Sequence, residues 1–154
     1  MRTIEAEPPA ASWRRGEYEV SAEQDRIDVG LAHGWIANDS YWAAGIPRAT
    51  FERATRHSLA FGIYRGSAQV GFARVVTDRA TFAYLCDVWV VAAERGHGLG
   101  RWLVECILAH PDLQGLRRIS LMTRDAQRFY ASLGFKAMPD PGRYMELHRP
   151  EAYR

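Results

Sequence analysis

Hydrophobic residues recur along this chain with two different periods, and the boundaries between them predict its elements. Tyr18-Glu19-Val20 is a short strand candidate, and Ser21 is placed to cap a helix from about Ala22 to Trp35 with Ile27, Leu31 and Trp35 as its apolar stripe. The segment from Asn38 to Pro47 breaks periodicity, and a second helix is expected near Pro47, carrying Phe51, Ala54 and Leu59 or their neighbours inward. From Ser58 the period shortens. Strands are expected over Leu59 to Tyr64, Gln69 to Val76 and Thr81 to Val91, separated by turns at Arg65-Gly66-Ser67 and Thr77-Asp78-Arg79, which makes an antiparallel meander. Helical spacing returns in Leu99, Trp102, Leu103, Cys106, Ile107 and His110, and Pro111 stops it. Arg118 to Thr123 then reads as a strand, Asp125 to Leu133 as a short helix, and Phe135 to Met138 and Tyr144 to His148 as two more strands.

The chain has 154 residues, which is most simply one domain over 17–154 after a loosely held extension over 1–16. Twenty basic against 18 acidic residues leave a net charge of +2, too mild for nucleic-acid or membrane binding by bulk electrostatics. No run of about 18 apolar residues is present, and residues 1–16 lack the apolar stretch that secretion needs, so a cytoplasmic protein is expected. Cys86 and Cys106 lie in apolar periodic segments and read as small core residues in a reducing compartment. His33, His57, His110 and His148 show no metal-ligand spacing, and no metal is expected.

Chemistry concentrates in Arg95-Gly96-His97-Gly98-Leu99-Gly100, between an apolar strand and an amphipathic helix. Three glycines within five residues remove the Cβ atoms that would hold an anion off the backbone, and the following helix directs unpaired N–H groups and its positive dipole end at that space. The loop does not end in Gly-Lys-Ser or Gly-Lys-Thr, so it is no Walker loop. Its glycine spacing and the preceding meander also disfavour a dinucleotide fold. A tight strand-to-helix turn without a ligand remains the plain alternative. Downstream, Ala126, Phe129, Tyr130 and Leu133 share one face of a helix that Asp125 would cap and Gly134 would end, which by itself makes Tyr130 a core aromatic.

Taken together, Arg95-x-x-Gly98-x-Gly100 and, about thirty residues later, Phe129-Tyr130-x-x-x-Gly134-Phe135 resemble the GCN5-related N-acetyltransferase (GNAT) family. The likeness is closest to small bacterial-type members with a run such as Val70-Gly71-Phe72-Ala73-Arg74-Val75-Val76-Thr77-Asp78 before Tyr84-Leu85-Cys86-Asp87-Val88. It implies a single α/β (α+β) domain with a central twisted, mostly antiparallel sheet flanked by helices. It further implies transfer of acetyl from acetyl-CoA to a primary amine, on a small molecule or a peptide, by direct attack in a ternary complex. A non-catalytic CoA-binding module, and transfer of another acyl group or to a hydroxyl, are the alternatives. Family members often form homodimers.

By the same resemblance, backbone N–H groups from Arg95 through Gly96, His97, Gly98, Leu99 and Gly100 to Arg101 would cradle the cofactor pyrophosphate. Backbone groups near Trp89, Val90 and Val91 would pair with the pantetheine arm, and an amide there would stabilise the oxyanion. The Arg95 guanidinium either supports phosphate or is an ordinary loop charge, and His97 would sit beside phosphate or solvent. Tyr130 matches the tyrosine that protonates the departing thiolate, and a phenol with an ordinary pKa near about 10 keeps its proton at neutral pH. Asp125 stands where the family more often has Asn at the pantetheine arm, and capping its own helix is an equal reading. Asp87 interrupts an apolar strand, where a polar side chain needs a partner or a purpose, so it is either the base for the amine or the partner of an arginine. Tyr84 stands near the place of the glutamate used by histone-type members. Tyr41 and Trp42 would form a wall of the acceptor pocket or a packed lid, with Tyr144 and Glu146 as further pocket candidates.

Overall fold

Among the described residues six strands hydrogen-bond in chain order to form one sheet: β1 (Ser12–Arg15), β2 (Tyr18–Ser21), β3 (Leu59–Arg65), β4 (Ala68–Thr77), β5 (Phe82–Val90) and β6 (Arg118–Leu121). The computed structural model describes residues 10–154. Neighbouring strands are antiparallel except β5 and β6, which run parallel because a helix crosses between them. Of the extension expected over 1–16, residues 1–9 lie outside the described residues, and Ser12–Arg15 is an edge strand paired with β2.

Among the described residues the four α-helices are α1 (Val29–Asp39), α2 (Arg48–Arg56), α3 (Leu99–Leu108) and α4 (Gln127–Ala131). Successive side chains of a strand point to opposite faces, and β3 uses both. Leu59, Phe61 and Ile63 join the core under α3, whereas Ala60 joins Phe72, Ile36 and Phe51 in a second core under α1 and α2. A sheet covered on both faces needs strands apolar at every position, which is why β3 reads as an unbroken hydrophobic run. Among the described residues no helix is long and apolar enough to cross a membrane.

Four elements differ from the expectation. The helix expected at Ala22 begins only at Val29: Ser21 is the buried last residue of β2, and Asp28 is the true cap, its carboxylate accepting the Leu31 N–H at 3.0 Å. Gln24 prevents the earlier start. Its side-chain amide donates to the Ala60 carbonyl at 2.9 Å and accepts the Ala60 N–H at 3.0 Å, extending the β2–β3 ladder beyond Ser21 with a side chain. The stripe shifts accordingly, to Ala32 and Ile36 as the buried residues, with Leu31 exposed.

Near the other end, Asp125 does not cap α4. Thr123 accepts the Ala126 N–H at 3.0 Å, and the Asp125 carboxylate pairs with Arg124 at 3.2 Å. The strands expected over Phe135 to Met138 and Tyr144 to His148 are absent as well. Their alternation has no buried face to fix a register: Tyr144, Met145 and Leu147 are all exposed, so neither parity is sheltered.

Candidate active site

The sheet opens where β5 outruns β6. Pairing between them covers only Phe82–Leu85, so the remainder of β5 has no strand on that side and a crevice begins at its carboxyl end. Position in the fold favours ligands here, because the strand ends point loops and helix termini into the gap. On the other side, Phe72 pairs with Trp89 but Arg74 pairs with Cys86, so Asp87 and Val88 together oppose a single residue of β4. This β-bulge is held by Asp87 in the left-handed region, with φ +56°.

Bulge and hydrogen bonds together sort the three residues expected at the pantetheine arm, Trp89 and Val90 of β5 and Val91 just after it. Val91 donates its N–H to Val70 O at 3.0 Å and accepts the Glu94 N–H at 3.0 Å, so its backbone is occupied within the protein. By the alternation of an antiparallel ladder, Trp89 faces β4 in the same way, and Val90 turns its N–H and C=O to the open side. The Val90 carbonyl is taken by the Arg95 side chain, whose Nε donates to it at 2.8 Å while the guanidinium lies 4.8 Å from the Trp89 ring. Arg95 thus braces the strand, and the Val90 N–H is the backbone donor left to the crevice.

At the head of α3 the chain passes through Gly96 at φ +85° and Gly98 at φ +73°, conformations that L side chains rarely adopt, with no atom within 4 Å of where a Cβ would stand. The first helical bond runs from Trp102 N–H to Gly98 O, so the N–H groups of Leu99, Gly100 and Arg101 precede the helical ladder and point out of its end. Arg101 ties α3 to α4 through Ser132, donating to its Oγ at 2.7 Å. Beneath the loop, the buried Glu94 accepts from the Tyr18 hydroxyl at 2.5 Å and from Arg65 at 3.0 Å, so both its oxygens are engaged beside the glycine loop. These contacts hold the Glu94 carboxyl below its ordinary pKa. Glu94 carried no local signal, since its partners come from 76 and 29 residues away.

Two cavities meet in the crevice. The smaller, about 410 Å³, is lined by Val90, Arg95, Gly96, Gly98, Leu99 and Gly100, with Phe129 opposite; His97 and Val91 fall outside its lining. The larger, about 630 Å³, takes in Tyr41, Trp42, Tyr84, Asp87, Asp125 and Tyr130, and also Arg124, Glu146 and His148. Trp42 and Val88 line both. Arg124 and His148 had no motif to mark them; only the chain's path brings them in.

Tyr130 packs edge-on between Phe129 and Phe135, with ring centroids 4.9 and 5.8 Å away. Burial, and then the neighbouring Tyr41, raise its pKa above the ordinary 10.0, so the phenol keeps its proton. Asp87 is 7% exposed, and both its oxygens are engaged: Trp42 Nε1 donates to one at 2.8 Å and Arg74 Nε to the other at 2.9 Å. Arg74 also donates to Ser58 Oγ at 3.1 Å. Of the two readings of Asp87, the arginine partner is the one present, and its geometry is that of an anchor for the bulge and for the loop that carries Trp42. Cys86 lines the larger cavity instead of the core, with burial pushing its thiol up to about 12. Cys106 is buried and pushed up to about 11.

Comparison with known protein families matches residues 56–137 to the acetyltransferase (GNAT) domain. The chain belongs to the GNAT acetyltransferase family. A crystal structure of a candidate GNAT-family acetyltransferase from Xanthomonas campestris pv. campestris is 46% identical, with a TM-score of 0.86, over 88% of this chain and 96% of that one. A candidate acetyltransferase of Gibberella zeae is 32% identical over 81% of this chain and 82% of its own length. Serotonin N-acetyltransferase 2 of Oryza sativa subsp. japonica is 32% identical over 80% of this chain and 66% of its own.

For a GNAT enzyme the implied acyl donor is acetyl-CoA, and the crevice fits it. Open space above Gly96 and Gly98, backed by the N-terminus of α3, suits a pyrophosphate. The unpaired flank of β5 offers the Val90 N–H to an amide-bearing arm. We expect Gly98→Val to raise KM for acetyl-CoA about tenfold, because forcing a side chain into the left-handed region costs about 1–2 kcal/mol. Steady-state kinetics with varied cofactor check this, and an unchanged KM would remove Gly98 from the cradle.

Proposed function

We propose that this GNAT acetyltransferase moves the acetyl group of acetyl-CoA to a primary amine of a small molecule by direct attack. The observation that carries this reading is that the cradle cavity and the aromatic cavity share Trp42 and Val88, so a thioester lying along β5 would end beside a second chamber. Within that chamber, Tyr130 holds a proton for the departing thiolate sulfur. Direct attack, with no acyl-enzyme, is supported by the two thiols: at about 12 and about 11, neither Cys86 nor Cys106 supplies a thiolate at neutral pH. The similarity to a plant protein named as a serotonin N-acetyltransferase supports an amine as the acceptor.

The test is release of free thiol from acetyl-CoA with a panel of amines, with mass spectrometry of the product. Thiol should appear in proportion to acceptor and stop when the amine is withheld. Cofactor binding without turnover on any amine would return the non-catalytic module instead, and turnover on alcohols alone would move the acceptor to a hydroxyl.

A further inference from the structure

Charges facing the larger cavity do not cancel. Asp87 is matched by Arg74 at 2.9 Å and Asp125 by Arg124 at 3.2 Å. Arg124 is further held 3.8 Å from the Tyr41 ring, which keeps its charge on that wall. Glu146 and His148 also line the cavity, and among the described residues no cationic side chain makes an ion pair with Glu146. Its polar contact is with Tyr144, whose hydroxyl donates to Oε2 at 3.4 Å.

Glu146 therefore leaves one negative charge in a chamber that also holds Trp42 and Tyr84, whose ring faces attract cations. Resting on the amine reading above, we infer that the acceptor is an organic cation, a primary ammonium on an apolar or aromatic body, recognised by Glu146. Carboxylate and aromatic faces converge on the same ligand chemistry from different elements: Trp42 from the α1–α2 connection, Tyr84 from β5, and Glu146 from the segment after α4. Amines that carry a carboxylate or phosphate next to the nitrogen bind less tightly, because that second charge would face Glu146 while the Arg124 guanidinium on the same wall is already paired with Asp125.

Glu146 also completes the proton balance that Asp87, bound on both oxygens, does not serve. It takes one proton from the bound R–NH3⁺, freeing the lone pair that forms the N–C bond to the thioester carbonyl carbon. As the C–S bond breaks, the sulfur takes the Tyr130 hydroxyl proton, and the phenolate takes the second proton from nitrogen. The products are a neutral amide, a free thiol and Tyr130 restored, and Glu146 returns its proton to water.

The experiment is calorimetric binding of phenylethylamine and of phenylalanine, which share ring and amine and differ by a carboxylate, to the wild type and to Glu146→Gln. Glu146 is exposed and unpaired with any cation, so the amide variant keeps the fold. Wild type should bind phenylethylamine at least about tenfold more tightly than phenylalanine, and Glu146→Gln should lose about tenfold for phenylethylamine with acetyl-CoA affinity unchanged. Equal or tighter binding of phenylalanine, no binding of phenylethylamine at millimolar concentration, or an unaltered Glu146→Gln variant would overturn the inference. Binding needs no turnover, so the two readings separate. Acetylation of amines indifferent to Glu146 keeps the transferase and removes this site, whereas Glu146-dependent binding without acetylation keeps the site and removes the transferase.

Discussion

Tyr130→Phe is expected to lower kcat by about 10²–10³-fold while KM for acetyl-CoA stays within about threefold. The substitution removes one oxygen and keeps the ring that packs against Phe129 and Phe135, so the local fold is conserved and the loss reports the proton alone. A phenol serves as acid while protonated, and burial has raised this one above 10.0, so wild-type activity should hold through neutral pH and fall only above that value. The variant should lack that alkaline fall. Single-turnover rates and pH profiles of both proteins decide it, and a variant with wild-type kcat would make Tyr130 a packing residue.

A second large effect is expected at the bulge, on stability more than on chemistry. Asp87→Ala should destabilise the protein by about 3–5 kcal/mol, because it leaves the guanidinium of Arg74 buried without its counter-charge. The Arg74 side chain is only 18% exposed, so water does not replace the lost partner. The Trp42 indole N–H loses its acceptor in the same step, and the chain loses a residue type that tolerates the left-handed conformation. Urea unfolding measures the change, and the double variant with Arg74→Met should recover part of it, since removing both charges is less costly than removing one. A loss below about 1 kcal/mol would mean that the pair behaves as a solvent-exposed one. Turnover adds a separate check. If Asp87 were the base, Asp87→Asn would abolish kcat even in a folded protein, whereas an anchor predicts activity that follows the folded fraction.

Some elements were legible because their cause is local. Strand β5 announces itself through a period of two, β3 and β4 through the apolar runs that burial on both faces requires, helix α3 through a period of 3.6, and the glycine loop through three residues without Cβ between a strand and a helix. Other positions were misread where a distant partner decides. Gln24 lies in a helix-compatible stretch but is claimed by the backbone of Ala60, 36 residues away. Tyr144 to His148 alternates like a strand, yet alternation specifies pairing only where one face is buried, and here neither is.

Asp87 shows the division within one residue. Its presence in an apolar strand marks it as a side chain with a partner, from sequence alone. Which partner it has depends on the register that sets Arg74 beside it and on the loop that brings Trp42 across 45 residues. The sequence by itself therefore determined the meander, the glycine loop that opens α3 and the family motif, since each depends on residues close together in the chain. Only the tertiary structure decided that Val90 and not Val91 turns its N–H outward, that Asp87 is bound on both oxygens, and that Glu146 lines the same cavity as Trp42 and Tyr130. Hydrogen-bond occupancy and charge balance are sums over neighbours in space, and those neighbours are assembled by the sheet.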